Sequence, residues 1–162
     1  MGSMAIPEYV ASLRAKVGHD LLLLPGVCAQ VFDPAGRVLL HRRADTARWA
    51  LIGGTQEPGE EPADAVVREV DEETGVEVSP ERIMGVCATS RTVLPNGHQV
   101  QYVVVAFRCR PLRGTPTVND DESLEVGYFA LDRLPDLSAG HRARIEHALA
   151  DGPAFFAAAG RS

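Results

Sequence analysis

Three glutamates, Glu69, Glu72 and Glu73, stand at i, i+3 and i+4 in the segment PADAVVREVDEETG that begins at Pro62. Pro62 suits the first helical position, where its missing N–H leaves nothing unsatisfied, and Glu61 suits the positive helix end. Gly75 suits the left-handed position that closes a last turn. Ala63, Val66, Val67, Val70 and Thr74 recur at i, i+3, i+4 and i+7, a single buried stripe. At about 100° per residue the three glutamates are expected together on a different side. Like charges so spaced repel by about 0.2–0.5 kcal/mol per pair in water. Around a hard divalent cation such as Mg²⁺, which takes oxygen ligands in a rigid arrangement, they become an asset. Taken alone, such a triplet is more often a solvated acidic face.

The surroundings reverse that judgement. Gly54, Glu60, Arg68, Glu69, Val70, Glu72, Glu73, Gly75 and Val76 fit the pattern G-x5-E-x7-R-E-U-x-E-E-x-G-U, with U aliphatic, at every fixed position. Seven of these residues are Gly or charged, and at average usage a chance match is roughly one in 10⁸ per starting residue. The stretch resembles the Nudix box, the signature of the Nudix hydrolase family. Two flanking residues depart from its commonest form: Ile52 stands where Pro is usual, and Gln56 where an aliphatic residue is usual. Both bear on loop geometry more than on ligands.

The resemblance implies an α/β/α sandwich, a mixed sheet flanked by helices, and Mg²⁺-dependent hydrolysis of a pyrophosphate bond, with Mn²⁺ able to substitute. It implies Glu69, Glu72 and Glu73 as metal ligands, assisted by the Gly53 carbonyl, with Glu69 and Glu72 among the catalytic carboxylates. Glu57 or Glu60 would complete the shell through water. Arg68 cannot ligate a cation; its place in the box implies that it pairs with a helix or loop carboxylate and fixes its rotamer. A later loop in the family often supplies another carboxylate, as ligand or general base, and Glu122 is the candidate here, against a turn acid without chemistry. Bound metal would neutralise non-bridging phosphate oxygens and activate water. The implied substrate is a nucleoside diphosphate linked to another moiety, such as a nucleoside diphosphate sugar like ADP-ribose, or a (d)NTP. Three marks that would narrow it are missing. Arg91 and Thr92 stand where an ADP-ribose type carries Pro, Thr92, Val93 and Leu94 where a dinucleoside-polyphosphate type carries Tyr, and no Ser-Gln-Pro-Trp occurs. A nucleotide-sensing domain without catalysis is the alternative, though the intact box argues against it. A diphosphate isomerase on the same fold would need a catalytic Cys beside an acid. Homodimers are common in the family, so a homodimer is a possible state.

Composition bounds the rest. The 162 residues, 45% hydrophobic and 23% charged, suit a soluble protein. Residues 4–162 are expected to form one domain, and Met1, Gly2 and Ser3 resemble an expression scar. The apolar run near residue 21 is broken by Pro25 and Gly26 and is too short to span a bilayer, and with no basic stretch followed by an apolar one at its start, secretion is not expected. No membrane partner is expected. Cys28, Cys87 and Cys109 are odd in number and lack C-x-x-C spacing, which predicts a reducing, cytoplasmic setting and no zinc site. A net charge of −6 leaves no footprint for general nucleic-acid binding. A small polyanionic nucleotide would need metal and a local basic cluster.

The pattern predicts an α+β order. A helix is expected over 7–17, strands over 21–24 and 26–32, a turn at Asp33-Pro34-Ala35-Gly36, and a hairpin partner strand over 37–42. His41, Arg42, Arg43 and Arg48 are the densest basic patch before the box. The three arginines are candidates for substrate phosphates, against a solvated strand edge, and His41 reads as a surface residue. Trp49 reads as packing in a strand over 49–52 that leads into Gly53 and Gly54. After the box helix, runs over 82–94 and 99–110 are joined by Pro95-Asn96-Gly97-His98, a hairpin signal, with a central strand at Val103–Phe107. A strand over 124–130, a turn or short helix over 132–137 and a helix over 139–150 follow. Phe155 and Phe156 are left either docked or frayed.

Overall fold

Strand β1 (Leu22–Val31) is covered on both faces, and the rest of the architecture follows from that. In the computed structural model, which describes residues 6–150 and 152–160, it is preceded by α1 (Glu8–Val17). The expected scar lies outside the described residues. After β1 come β2 (Val38–Arg43), β3 (Trp49–Ala50), β4 (Ile52–Thr55) and helix α2 (Pro62–Thr74). Then follow β5 (Glu77–Ala88), β6 (Thr92–Val93), β7 (Gln99–Arg113) and β8 (Ser123–Phe129). A short 3-10 turn (Leu131–Arg133), α3 (Ala139–Leu149) and β9 (Phe155–Phe156) complete the order. The larger sheet runs β4-β1-β7-β5-β9 with β6 also on β7, and the smaller runs β3-β2-β8. Since β1 is parallel to β7 and antiparallel to β4, the larger sheet is mixed.

Alternation along β1 sends Val27, Ala29 and Val31 into a core under α2, with Val66 and Val70. Cys28 and Phe32 enter a second core under α3, with Ile145 and Ala148. The result is an α/β/α sandwich. Among the described residues no helix is long and apolar enough to cross a membrane.

Four expectations are corrected. The strands expected over 21–24 and 26–32 are one strand. Pro25 has no N–H to donate, but its carbonyl accepts from Gln56 N–H at 3.2 Å, and Gly26 lies against the Tyr102 ring, where a side chain would crowd. β2 is not the hairpin partner of β1. The turn itself forms, with Gly36 N–H donating to Asp33 O at 2.9 Å, yet only a Phe32–Val38 bridge joins the two. Both edges of β1 are taken by β4 and β7, so β2 goes to the smaller sheet between β3 and β8. The strand expected over 49–52 divides at Leu51, with β3 in one sheet and β4 in the other. Trp49 packs edge-on against Phe129, ring centroids 4.7 Å apart.

The run expected from 82 instead starts β5 at Glu77, and β6 stands apart from it before the Asn96-Gly97 turn, where Gly97 has φ of 84°. Phe155 and Phe156 dock as β9 beside Gly85 and Val86. Strand arginines hold the end of α3: Arg108 donates to Ala148 O at 2.7 Å and Arg82 to Ala150 O at 2.9 Å.

Candidate active site

Helix α2 starts on Pro62 and ends at Gly75, whose φ of 67° closes the last turn with an N–H to Asp71 O at 2.8 Å. Its three glutamates do not stand apart from the buried stripe, contrary to expectation: two of them are buried with it. Glu69 is 9% and Glu73 1% exposed, whereas the Glu72 side chain is 53% exposed. The reason is periodicity: Glu69 and Glu73 follow Val66 by three and seven residues, which continues the buried stripe. That stripe consists of Ala65, Val66, Val70 and Thr74, with Ala63 and Val67 only partly covered.

The buried Glu69 carboxylate meets the backbone of β4. Gly53 pairs with Cys28, and a Cβ on Gly53 would fall 2.4 Å from Val27 O. A Cβ on Gly54 would fall 2.2 Å from the Glu69 carboxylate. Both glycines are required by close approach.

Arg68 links the loop acid to the helix acids. Its Nε donates to Glu60 Oε1 at 2.6 Å and an Nη to Glu60 Oε2 at 3.0 Å. It also donates to Glu69 Oε1 at 2.9 Å, Glu72 Oε2 at 3.1 Å and Thr55 O at 3.1 Å. The bonds to Glu60, first, and to Glu69 raise the Arg68 pKa, and the same guanidinium lowers that of Glu60. Gln56 donates to Glu60 O at 2.6 Å, so this departure from the usual box pins the same loop. Glu57 gives Glu60 its backbone N–H at 2.9 Å, while its own side chain is exposed.

His41 is not a surface residue. It is 4% exposed, with Nδ1 2.8 Å from Ser123 Oγ and 2.9 Å from Glu73 Oε2. Only the serine contact has hydrogen-bond alignment, so both Glu73 oxygens are buried without a hydrogen-bond partner among the described residues. Burial, then Glu122 and Asp120, pushes Glu73 up to about 9, and burial, then Arg43, pushes His41 down to about 4. Burial also raises Glu69 to about 7, against the opposing pull of Arg68. Glu122 is half-buried and raised by burial, then by Asp120.

A loop tethered to α2 places Glu122 there. Thr117 N–H donates to Thr74 O at 2.9 Å, and Asn119 Nδ2 to Asp71 O at 3.0 Å. Of the basic patch, Arg43 pairs with Asp45 at 2.6 Å and also acts electrostatically on Glu73 and Glu122. Arg42 instead pairs with Glu125 at 2.6 Å, and Arg48 is exposed on the β2–β3 turn. Reading the sequence alone missed His41, Ser123 and Asn119. For His41 a signal existed, since it lies two residues after Leu39, which faces the core under α2.

The residues fit a hard divalent cation. Glu69, Glu72, Glu73 and Glu122 offer only oxygen donors, and a buried carboxylate without partners is costly unless neutralised. No group of three acids or histidines forms a ready cage among the described residues; Arg68 is bonded to two of the acids.

Comparison with known proteins agrees with this arrangement. The NUDIX domain family model matches residues 22–150. The chain is 36% identical over 114 residues to a MutT-like protein of Streptomyces ambofaciens, covering 70% of this chain and 68% of that one. It is 30% identical over 132 residues to an ADP-ribose pyrophosphatase of Methanocaldococcus jannaschii, covering 79% of this chain and 75% of that one. The crystal structure of an ADP-ribose pyrophosphatase from Streptococcus suis superposes with a TM-score of 0.61 at 27% identity, covering 78% of this chain and 89% of that one. With a family model spanning most of its length and a box helix set against two close-packed glycines, the chain belongs to the Nudix hydrolase family and is a pyrophosphohydrolase.

Proposed function

We propose that the substrate is a nucleoside diphosphate linked to a second group, and that its pyrophosphate bond is hydrolysed by water with the help of Mg²⁺. The observation that carries this reading is Glu73, a carboxylate 1% exposed whose oxygens have no hydrogen-bond partner among the described residues. In this reading Glu69, Glu72 and Glu73 hold the cation with the Gly53 carbonyl, and Mn²⁺ substitutes. When bound, the cation neutralises non-bridging phosphate oxygens and lowers the pKa of water. Glu122 takes the proton of the attacking water, a role that suits a carboxylate whose pKa is raised toward neutrality. Glu60 acts through Arg68, which keeps Glu69 and Glu72 from drifting apart. Glu57 orients Glu60 through its backbone. Arg43 and Arg48 receive the substrate phosphates, and Arg42 joins them once it releases Glu125.

Similar proteins named as ADP-ribose pyrophosphatases put ADP-ribose first among substrates to test. The test is incubation with Mg²⁺ and a panel of ADP-ribose, other nucleoside diphosphate sugars, dinucleoside polyphosphates, NADH, and normal and oxidised (d)NTPs. Chromatography would resolve the products. Glu72→Gln is the blank, because the exposed side chain can be changed without disturbing the core. Release of a nucleoside monophosphate from one class is expected, falling on the order of 100-fold in the variant. A folded Glu72→Gln protein with near-wild-type turnover would remove Glu72 from the ligand set. Silence across the panel, with a nucleotide still raising the melting temperature, would favour a sensing domain.

A further inference from the structure

β8 does not run regularly past β2. His41 pairs with Val126 and Arg42 with Glu125, but Arg43 pairs with Ser123, so Leu124 is an extra residue in the ladder. Along a regular strand Leu124 would share the face of Val126 and Tyr128, and Tyr128 packs on the core under α2. The irregularity turns Leu124 outward, 46% exposed, and turns Ser123 inward, 5% exposed. Exposing a leucine in order to bury a serine works against stability. Bulges that re-aim a side chain are a recurrent feature beside active sites.

What Ser123 meets is the ring of His41. Its Oγ lies 2.8 Å from Nδ1, and that same Nδ1 lies 2.9 Å from Glu73 Oε2. With His41 at 4% and Glu73 at 1% exposure, neither side chain has room to swing into solvent. The imidazole is instead a fixed wedge between β8 and the helix carboxylate.

We propose that His41 and Ser123 are positioning residues for Glu73: Ser123 fixes the imidazole, and the imidazole fixes the orientation in which the carboxylate meets the cation. This rests on the reading of Glu73 as a ligand. For this role Nδ1 carries the ring proton, donating to Ser123 Oγ with its electropositive N–H beside Glu73 Oε2; an unprotonated Nδ1 would turn a lone pair toward the carboxylate.

The test combines Mn²⁺ affinity, read from the paramagnetic resonance of free Mn²⁺, with kcat and KM on the full chain. His41→Leu is expected to weaken Mn²⁺ binding about tenfold and to lower kcat similarly, leaving KM for the nucleotide near wild type. His41→Asn, whose amide can occupy the place of Nδ1, should recover most of both, and Ser123→Ala should lose less than His41→Leu in the same direction. A folded His41→Leu protein with wild-type Mn²⁺ affinity and kcat overturns the proposal. So does a His41→Asn protein no better than His41→Leu, because then the ring only fills space. If His41→Leu does not fold, His41→Asn and Ser123→Ala decide: wild-type Mn²⁺ affinity and kcat in Ser123→Ala overturn the proposal. Glu73→Gln separates the two readings. If it binds Mn²⁺ and turns over like wild type, the ligand reading fails and takes this one with it. If it loses both while His41→Leu loses neither, only the positioning role falls.

Discussion

Glycine at position 54 answers to the carboxylate of Glu69, which occupies the space a Cβ would need. Gly54→Ala therefore displaces the acid or the strand, and a misplacement of about 1 Å at a reacting centre can cost about 100-fold in rate. We expect kcat to fall by about that factor while circular dichroism stays native; a variant of wild-type rate would show that Glu69 is free to move. The buried acids also make a prediction with a definite sign. Burial pushes Glu73 up to about 9 and Glu69 up to about 7, from 4.5. Above about pH 5 the unfolded chain has released protons that the folded protein still holds, so this contribution is full below 4.5 and is lost as pH rises toward about 9. His41, lowered to about 4 by burial, acts oppositely in acid: its contribution is lost as pH falls below about 6.5. With a chelator present, the melting temperature should fall between about pH 6 and about pH 9. Added Mg²⁺ should restore more of it at the alkaline end, because ligands must be deprotonated to bind. A melting temperature flat across that range in chelator would mean that burial does not govern these acids.

Helix α2 shows which features of an element a sequence reveals. Its ends were legible because Pro62 and Gly75 carry local signals that need no partner. The inward turn of Glu69 and Glu73 was not, because burial depends on what lies beneath: β4, with two glycines, and β2, with His41. An acid three or seven residues from a buried valine reads as polar in any pattern that counts only apolar positions. The loop before β8 is a second case, since nothing local announces that Asn119 caps Asp71 from 48 residues away. That tether brings Glu122 toward Glu73. Asn119→Ala removes one exposed hydrogen bond, so it should cost about 1 kcal/mol or less of stability. If the tether positions Glu122, kcat should drop about tenfold. Denaturant unfolding and steady-state kinetics on one preparation separate the two. Unchanged kcat with the stability lost would leave the loop a purely structural cap.

At the scale of the whole molecule, the sandwich was legible from the kinds of elements, while the strand neighbours were not. A tight turn at Asp33–Gly36 ordinarily joins paired strands, and here it forms with a single Phe32–Val38 bridge and no ladder, because both edges of β1 are already filled. The partner on one edge, β7, enters β1 at Val100 opposite Leu22, a contact no local rule can find. The same layout divides chemistry from support. The carboxylates lie on the α2 side, whereas the cavity of about 290 Å³ lined by His147, Pro153, Phe155 and Phe156 lies where the tail meets α3. β9 pairs with only Gly85 and Val86, at the outer edge of β5. Deleting the chain from residue 152 should therefore leave kcat unchanged. It removes a strand and the Arg82 bond to Gly152 O, and we expect the melting temperature to fall by about 5 °C. It also uncovers the edge of β5, where Ile83 and Val86 are already 46% and 41% exposed. An open edge with apolar neighbours invites strand pairing between molecules, so light scattering at raised concentration should show aggregation absent from the full chain. A tenfold loss of kcat in monomeric truncated protein would mean that the tail reaches across the sheet to the catalytic face, and the separation of the two sides would have to be given up.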